Sequence, residues 1–362
     1  MKIGIVTIVD NANYGNRLQN YALYYILTNK YGCKVTTFAT HKEAASNNKS
    51  YIVQAKEEVI KILCGIIPSV AEKRFGNDIT RWANFTSWNK KIPTRHYYGT
   101  EELPNKLNDE FDLFFAGSDQ IWNYHFAFRK FHDYFLRFAE DRKKVGISGS
   151  FGVEEIPEEW KPVYIEGLSS FSHISVREVA GQKIVKKLTG RDVPVLIDPV
   201  LMLSKDEWLK VSKRPRVNCS RPYVLKYYLG DESNENRIDV WAKENGYEIY
   251  ELLNKNILEL YSAGPGEFIS LVSHAALVCS DSFHCIAFSI IFSKPFVVYE
   301  RQGKADYMTS RLDTLLAKFG FQNRWEHLVS ENDYLRCDYS NVESRLKIEQ
   351  KKFLEYIENA LK

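Results

Sequence analysis

The chain has 362 residues, more than one hydrophobic core usually supports, so two domains of ordinary size with a cleft between them are expected. Hydrophobic residues make up 44% and charged residues 26%, a balance that excludes disordered and fibrous classes. The net charge is only +3 and no long basic stripe occurs, which argues against nucleic acid as a partner.

Short β-rich runs alternate with helical spacing, the pattern of βαβ units and parallel sheets. Strands are predicted in the first half at residues 3–9, 34–38, 112–116, 145–148, 173–176 and 195–197. Helices are predicted at 17–29, 160–171 and 178–188, with 51–67 and 78–88 as a helical insertion at about 50–90. A second series follows, with strands at 223–228, 248–252, 276–279 and 296–299 and helices at 235–245, 265–274 and 283–292. The division expected is a first Rossmann-like domain over 1–204, a polar, Pro-bearing linker over 205–222, a second Rossmann-like domain over 223–342 and a charged amphipathic helix over 343–362. Two such α/β domains facing a cleft make a GT-B-like fold.

The N-terminal apolar run stops at Asp10 without a small-residue cleavage signal and reads as a buried strand. No apolar run approaches the ~20 residues needed to span a bilayer. Six cysteines lie scattered with no Cys-x-x-Cys pair, so neither a zinc site nor a redox motif is indicated, and reduced thiols fit a cytoplasmic protein, at most peripheral at the inner membrane face. No metal or cofactor is expected, and the oligomeric state is left open.

In open parallel sheets, ligands bind beyond the carboxyl ends of the strands, so polar clusters directly after strands are the candidates. The first is Asn13-Tyr14-Gly15-Asn16-Arg17-Leu18-Gln19-Asn20, either a loop whose free N–H groups hold an anion or a simple tight turn. It lacks Gly-x-Gly-x-x-Gly, so a dinucleotide is not indicated. The second is Gly117-Ser118-Asp119-Gln120-Ile121-Trp122-Asn123, where Asp119 is either a cleft carboxylate or a helix N-cap and Ser118 and Gln120 are substrate-binding candidates. Ser148-Gly149-Ser150 offers close backbone approach, with Ser150 as the candidate.

Ser175-Val176-Arg177-Glu178 places a guanidinium at a strand end, suited to phosphate or carboxylate or else to a surface salt bridge. Cys279-Ser280-Asp281-Ser282-Phe283-His284 puts an imidazole in the first turn of a helix, either structural or an acid-base group. Asp198-Pro199 reads as a structural turn into the linker, and Arg301, Lys304 and Arg311 are further cations for the same cleft.

In this order the clusters resemble the polysaccharide pyruvyl transferase family: Asn13-Tyr14-Gly15 with Leu18-Gln19-Asn20, Gly117 to Asn123, Ser150-Phe151-Gly152, Ser175 to Glu178, Asp198-Pro199, Ser280 to His284 and Ser310-Arg311-Leu312. The resemblance implies a GT-B-like fold and transfer of pyruvate from phosphoenolpyruvate, a co-substrate, to two hydroxyls of one sugar, free or lipid-linked, of a bacterial surface polysaccharide. It further implies that His284 is the essential histidine and that Arg177 holds the donor; Asp119 is expected to orient the sugar or to serve as a second acid-base group. Arg311, Ser282, Gly15 and Asn16 complete the expected donor site. Some family members carry Arg where this chain has Ser282, so either Arg301, Lys304 or Arg311 supplies the missing charge or the donor differs. A nucleotide-sugar glycosyltransferase and a non-catalytic carbohydrate-binding relative are the alternative readings, and closure of the domains is expected to exclude water.

Overall fold

The computed structural model describes residues 1–9, 13–41, 77–98, 100, 102–127, 130–230, 237–303 and 309–362. Among these residues, two parallel sheets form. The first contains β1 (Lys2–Val6), β2 (Lys34–His41), β3 (Thr94–Tyr98), β4 (Leu113–Ala116), β5 (Lys144–Gly149) and β6 (His173–Val176), in the order β3-β2-β1-β4-β5-β6. The second contains β7 (Tyr223–Tyr227), β8 (Glu248–Glu251), β9 (Leu277–Ser280) and β10 (Phe296–Val298), in the order β10-β9-β7-β8. Inner strands such as β1 and β4 read as near-continuous apolar runs because helices cover both faces of the sheet.

Each sheet has a switch point where successive connections leave in opposite directions, between β1 and β4 in the first and between β7 and β9 in the second. The carboxyl ends at these points carry the Asn13, Asp119 and Ser282 clusters. Two helices leave directly from them: α1 (Tyr14–Asn29) after β1, and the helix Phe283–Ile291 after β9. The alternation of βα units therefore delivers both polar clusters to the ends where open sheets bind ligands.

The two units share one apolar cluster. It runs from Ile5, Leu18 and Leu23 through Val200, Leu201 and Trp208 to Phe268, Ile286 and Phe288. Tyr14 marks the joint, its ring 5.3 Å from that of Phe85 and 4.7 Å from that of Phe268. The helix α2 (Asn77–Asn89), part of the predicted insertion, reinforces it. Arg81 Nη1 donates to the Tyr14 hydroxyl at 2.6 Å and to the Tyr261 carbonyl at 3.0 Å, while Asn84 Nδ2 donates to the Ser262 carbonyl at 2.7 Å.

Some elements differ from those read in the sequence. The edge strand β3 was not anticipated, because its sequence Thr-Arg-His-Tyr-Tyr is polar and only half-buried. Residues 195–197 form no full strand: Val195 makes a single bridge to Val176, and Pro199 then opens a short 3-10 turn capped by Asp198. The stretch read as linker contains a helix, Lys205–Val211, held by a Ser204–Glu207 capping box and by burial of Trp208. The predicted helix at 51–67 lies outside the described residues.

The last helix, Val342–Ala360, packs Phe353 and Ile357 into the shared cluster. Its Tyr356 hydroxyl donates to the Gly146 carbonyl of β5 at 2.7 Å, and Gln350 Nε2 to the Leu201 carbonyl at 2.8 Å. Among the described residues, no helix is long and apolar enough to cross a membrane.

Candidate active site

A cavity of about 190 Å³ opens between the sheet ends, walled by Asn13, Asn16, Asp119, Gln120, Ser282, His284, Arg301 and Arg311 among others. Three helices begin at this wall. The first turn of α1 presents Asn16, whose amide donates to Asn13 Oδ1 at 3.4 Å. The helix Phe283–Ile291 starts at Ser282, whose side chain makes no capping hydrogen bond and whose amide donates to Ser280 Oγ at 3.0 Å. The helix Ser310–Phe319 carries Arg311 in its first turn. Helix N-termini carry partial positive charge, so the wall is suited to anions even before side chains are counted.

His284 sits in the first turn of its helix and packs closely against Gly15. A Cβ on Gly15 would fall 2.0 Å from His284 Nδ1, so glycine is required there by the close approach of the ring. On the other side, His284 Nε2 is 3.4 Å from Asp198 Oδ2. That oxygen also accepts from Arg177 Nη1 at 2.6 Å and from the Ser118 hydroxyl at 3.0 Å, while Asp198 Oδ1 accepts from the Val200 amide at 3.0 Å. Burial alone would raise the Asp198 carboxyl, but the facing His284 and Arg177 outweigh it and hold the group well below the usual carboxylate range.

Arg177 was expected on the cleft wall as a donor ligand, and the structure places it beneath that wall. It is 2% exposed, its guanidinium lies 4.3 Å from the centre of the Phe283 ring, and its Nη2 is 3.4 Å from Asp119 Oδ1. Burial works against its charge, yet Asp198, Asp119 and Glu178 together more than compensate and raise its pKa. The residue is committed to carboxylates of the chain itself. It fixes the aspartate that faces His284.

Asp119 reaches the cavity but caps no helix. Its backbone has φ 68°, a left-handed conformation that Asp tolerates better than most residues, and it bridges to Gly149 of β5. Its Oδ1 accepts from the Gln120 amide at 2.9 Å. The Gln120 side chain lines the cavity, and with its oxygen turned toward Arg311 it accepts from Nη1 at 3.0 Å.

Ser118 and Ser150 are buried behind this layer, away from the cavity wall. The Ser118 hydroxyl joins Asp198 to the Ser148 carbonyl, 3.0 Å from each. The Ser150 hydroxyl donates to Glu178 Oε1 at 3.1 Å, and the Phe151 and Gly152 amides donate to the same oxygen at 2.7 and 3.1 Å. Both serines are expected from the sequence to bind substrate; the structure places both behind the cavity wall, with their hydroxyls bonded within the chain.

Cations crowd the remaining wall. Burial, together with the neighbouring Arg177 and Arg301 charges, pushes Arg311 down to about 9. Arg301 donates from Nε to Asp281 Oδ2 at 3.2 Å. Asp281 in turn accepts from the Leu229 and Gly230 amides, each at 2.8 Å, and so ties the loop after β7 to the cavity. A bound anion between Arg301 and Arg311 would relieve their mutual repulsion. Lys304 lies outside the described residues.

Asp198 is the principal member of the site that the sequence reading did not place there. Its signal was an aspartate directly after the apolar run 195–197, the same position relative to a strand that singled out Asp119.

The sequence profile of the family described as polysaccharide pyruvyl transferase matches residues 13–303, which contain the cavity residues except Ile8 and Arg311. No curated protein sequence matches the chain. Solved structures with a similar chain course include the N-terminal domain of Candida albicans trehalose-6-phosphate phosphatase, 9% identical over 99% of this chain and 96% of that one, with a TM-score of 0.48. The UDP-GlcNAc 2-epimerase from Neisseria meningitidis bound to UDP-GlcNAc is 12% identical over 99% of this chain and 100% of that one, with a TM-score of 0.44. Anabaena HepE in complex with UDP and glucose is 10% identical over 99% of this chain and 100% of that one, with a TM-score of 0.45.

Proposed function

The chain belongs to the polysaccharide pyruvyl transferase family, and from that premise we propose that it transfers the pyruvyl group of phosphoenolpyruvate to two hydroxyls of one sugar, forming a cyclic ketal. One observation carries the reading: a small cavity in which helix N-termini from both sheets and the guanidiniums of Arg301 and Arg311 converge beside His284. Phosphoenolpyruvate bears a phosphate and a carboxylate close together, and such a pair needs several N–H or cationic donors at short range. Arg301 and Arg311 supply charge on the wall where Ser282 offers only a hydroxyl.

The chemistry balances without a further reactant. An acceptor hydroxyl oxygen bonds to C2 of the donor while C3 gains a proton and becomes a methyl group. A neighbouring hydroxyl then attacks C2, the C2–O bond to phosphate breaks, and the second hydroxyl proton leaves with phosphate. His284 is the group proposed to move the first proton, as acid toward C3 or as base toward the hydroxyl. Asp198 orients its imidazole from the opposite domain, much as a buried carboxylate fixes the histidine of a catalytic triad. Asp119, on the facing wall, would orient the acceptor or act as the second acid-base group.

Incubation with phosphoenolpyruvate and a panel of sugar acceptors tests the proposal through phosphate release and product mass. A product heavier by one pyruvyl ketal supports it. Turnover of nucleotide sugars with none of phosphoenolpyruvate would replace it.

A further inference from the structure

Beside the first cavity lies a second, of about 480 Å³, at the carboxyl ends of β7 and β8. The two share Leu229, a residue 39% exposed on the loop after β7. Asp281 holds this loop by accepting from both the Leu229 and Gly230 amides. Leu229 and Gly230 are therefore held in place, with a cavity on each side of Leu229. We propose that the second cavity binds a neutral glycosyl unit of the acceptor, so that its hydroxyls reach past Leu229 toward the donor. The inference rests on the reading of the first cavity as the donor site.

The lining gives the class of ligand. Asn254 and Asn256 present amides, Glu251 presents a carboxylate, and Tyr228, Leu229 and Leu253 add apolar surface. A pyranose offers hydroxyls that both donate and accept, together with C–H faces, and this mixture of amide, carboxylate and apolar groups answers both. A diphosphate would need cations or clustered amides instead. Among the described residues, no Lys or Arg lines this cavity. The neighbouring Lys226 is drawn to Asp239 at 3.1 Å, and Lys255 lies over the Tyr261 ring. The two cavities thus differ in charge as donor and acceptor do: the cationic one is small, and the one carrying Glu251 is larger.

The turn after β8, residues 252–256, supports itself partly through its own side chains. The Asn256 amide donates to Asn254 Oδ1 at 2.9 Å, and Asn254 Nδ2 donates to Glu251 Oε2 at 3.1 Å. Asn254→Ser keeps a side-chain oxygen to hold the turn and removes the amide without setting a second carboxylate against Glu251, and Asn256→Ala removes an exposed side chain.

The test uses the full-length enzyme, phosphoenolpyruvate, and the p-nitrophenyl glycosides of glucose, galactose, mannose and N-acetylglucosamine as acceptors. In the Asn254→Ser/Asn256→Ala variant, the acceptor KM should rise roughly ten-fold, the scale of two lost hydrogen bonds, while the KM for phosphoenolpyruvate is kept. An unchanged acceptor KM in an active variant overturns the inference and leaves the donor reading intact. If the wild type transfers nothing from phosphoenolpyruvate to these glycosides, the donor reading is what fails. Saturation-transfer NMR with the same glycosides then decides for the groove: signals lost in the variant support it, and signals equal in both proteins or missing from both overturn it.

Discussion

Nε2 of His284 stands 3.4 Å from Oδ2 of Asp198, a carboxylate oxygen contributed by the other half of the molecule. The imidazole comes from the helix that follows β9, and the carboxylate caps the 3-10 turn that begins at Pro199. Neither half holds the pair alone, and Arg177 locks the aspartate from below.

His284→Ala should leave the protein folded and reduce transfer by about 100-fold or more, the usual scale for losing a general acid-base group. Phosphate release in the presence of donor and acceptor measures it. A near-normal rate would assign the proton to another residue.

Gly15→Ala separates positioning from binding. Alanine is the better helix former by roughly 1 kcal/mol, so helix propensity alone predicts a more stable protein. Its methyl group would nevertheless meet His284 Nδ1 at 2.0 Å and force the ring to move. Displacements of that order can cost about 100-fold in rate. The expected result is a large loss in kcat with donor affinity by calorimetry largely kept; equal losses in both would place Gly15 in the donor site itself.

Asp198 makes stability depend on pH with a definite sign. Its folded pKa is depressed, so the unfolded chain takes up the proton more readily. The stabilisation is complete above the ordinary value of 3.8 and is lost as pH falls from there toward the lower folded value. Asp198→Asn should therefore flatten the acid side of the stability profile below about pH 4, read from urea midpoints. At neutral pH the same variant should be less stable, because Arg177 keeps its buried charge and loses its closest partner.

Arg301→Ala and Arg311→Ala should each weaken phosphoenolpyruvate binding by roughly 10- to 100-fold, the worth of a charge-assisted hydrogen bond. Calorimetric titration measures this directly. Inorganic phosphate should compete with the donor in the wild type, and more weakly in either variant.

The doubly wound plan was legible because buried parallel strands such as β1, β4 and β9 leave apolar runs that end in polar clusters. Strand β3 was not, since an edge strand with a Thr-Arg-His-Tyr-Tyr sequence has no two-faced burial to mark it. Asp119, Gln120, Ser282, His284 and Arg311 were identified from their positions at strand and helix ends, and all line the cavity. Arg177 occupies the expected strand end but not the expected surface, because what covers it is Phe283, more than a hundred residues later in the chain. Asp198 was read as a turn residue, and it does cap one; its second role depends on a histidine brought from the other sheet, which local sequence does not encode.

The apolar cluster that continues from Leu18 through Trp208 to Phe288 has a thermodynamic consequence. Neither half can melt without exposing the surface that the other covers, and the final helix, with Phe353 and Ile357 in the same cluster, fastens the ends of the chain to both. Calorimetry should therefore record a single heat-absorption peak with matching calorimetric and van't Hoff enthalpies. The halves, expressed apart, would be expected to remain sticky and incomplete until mixed.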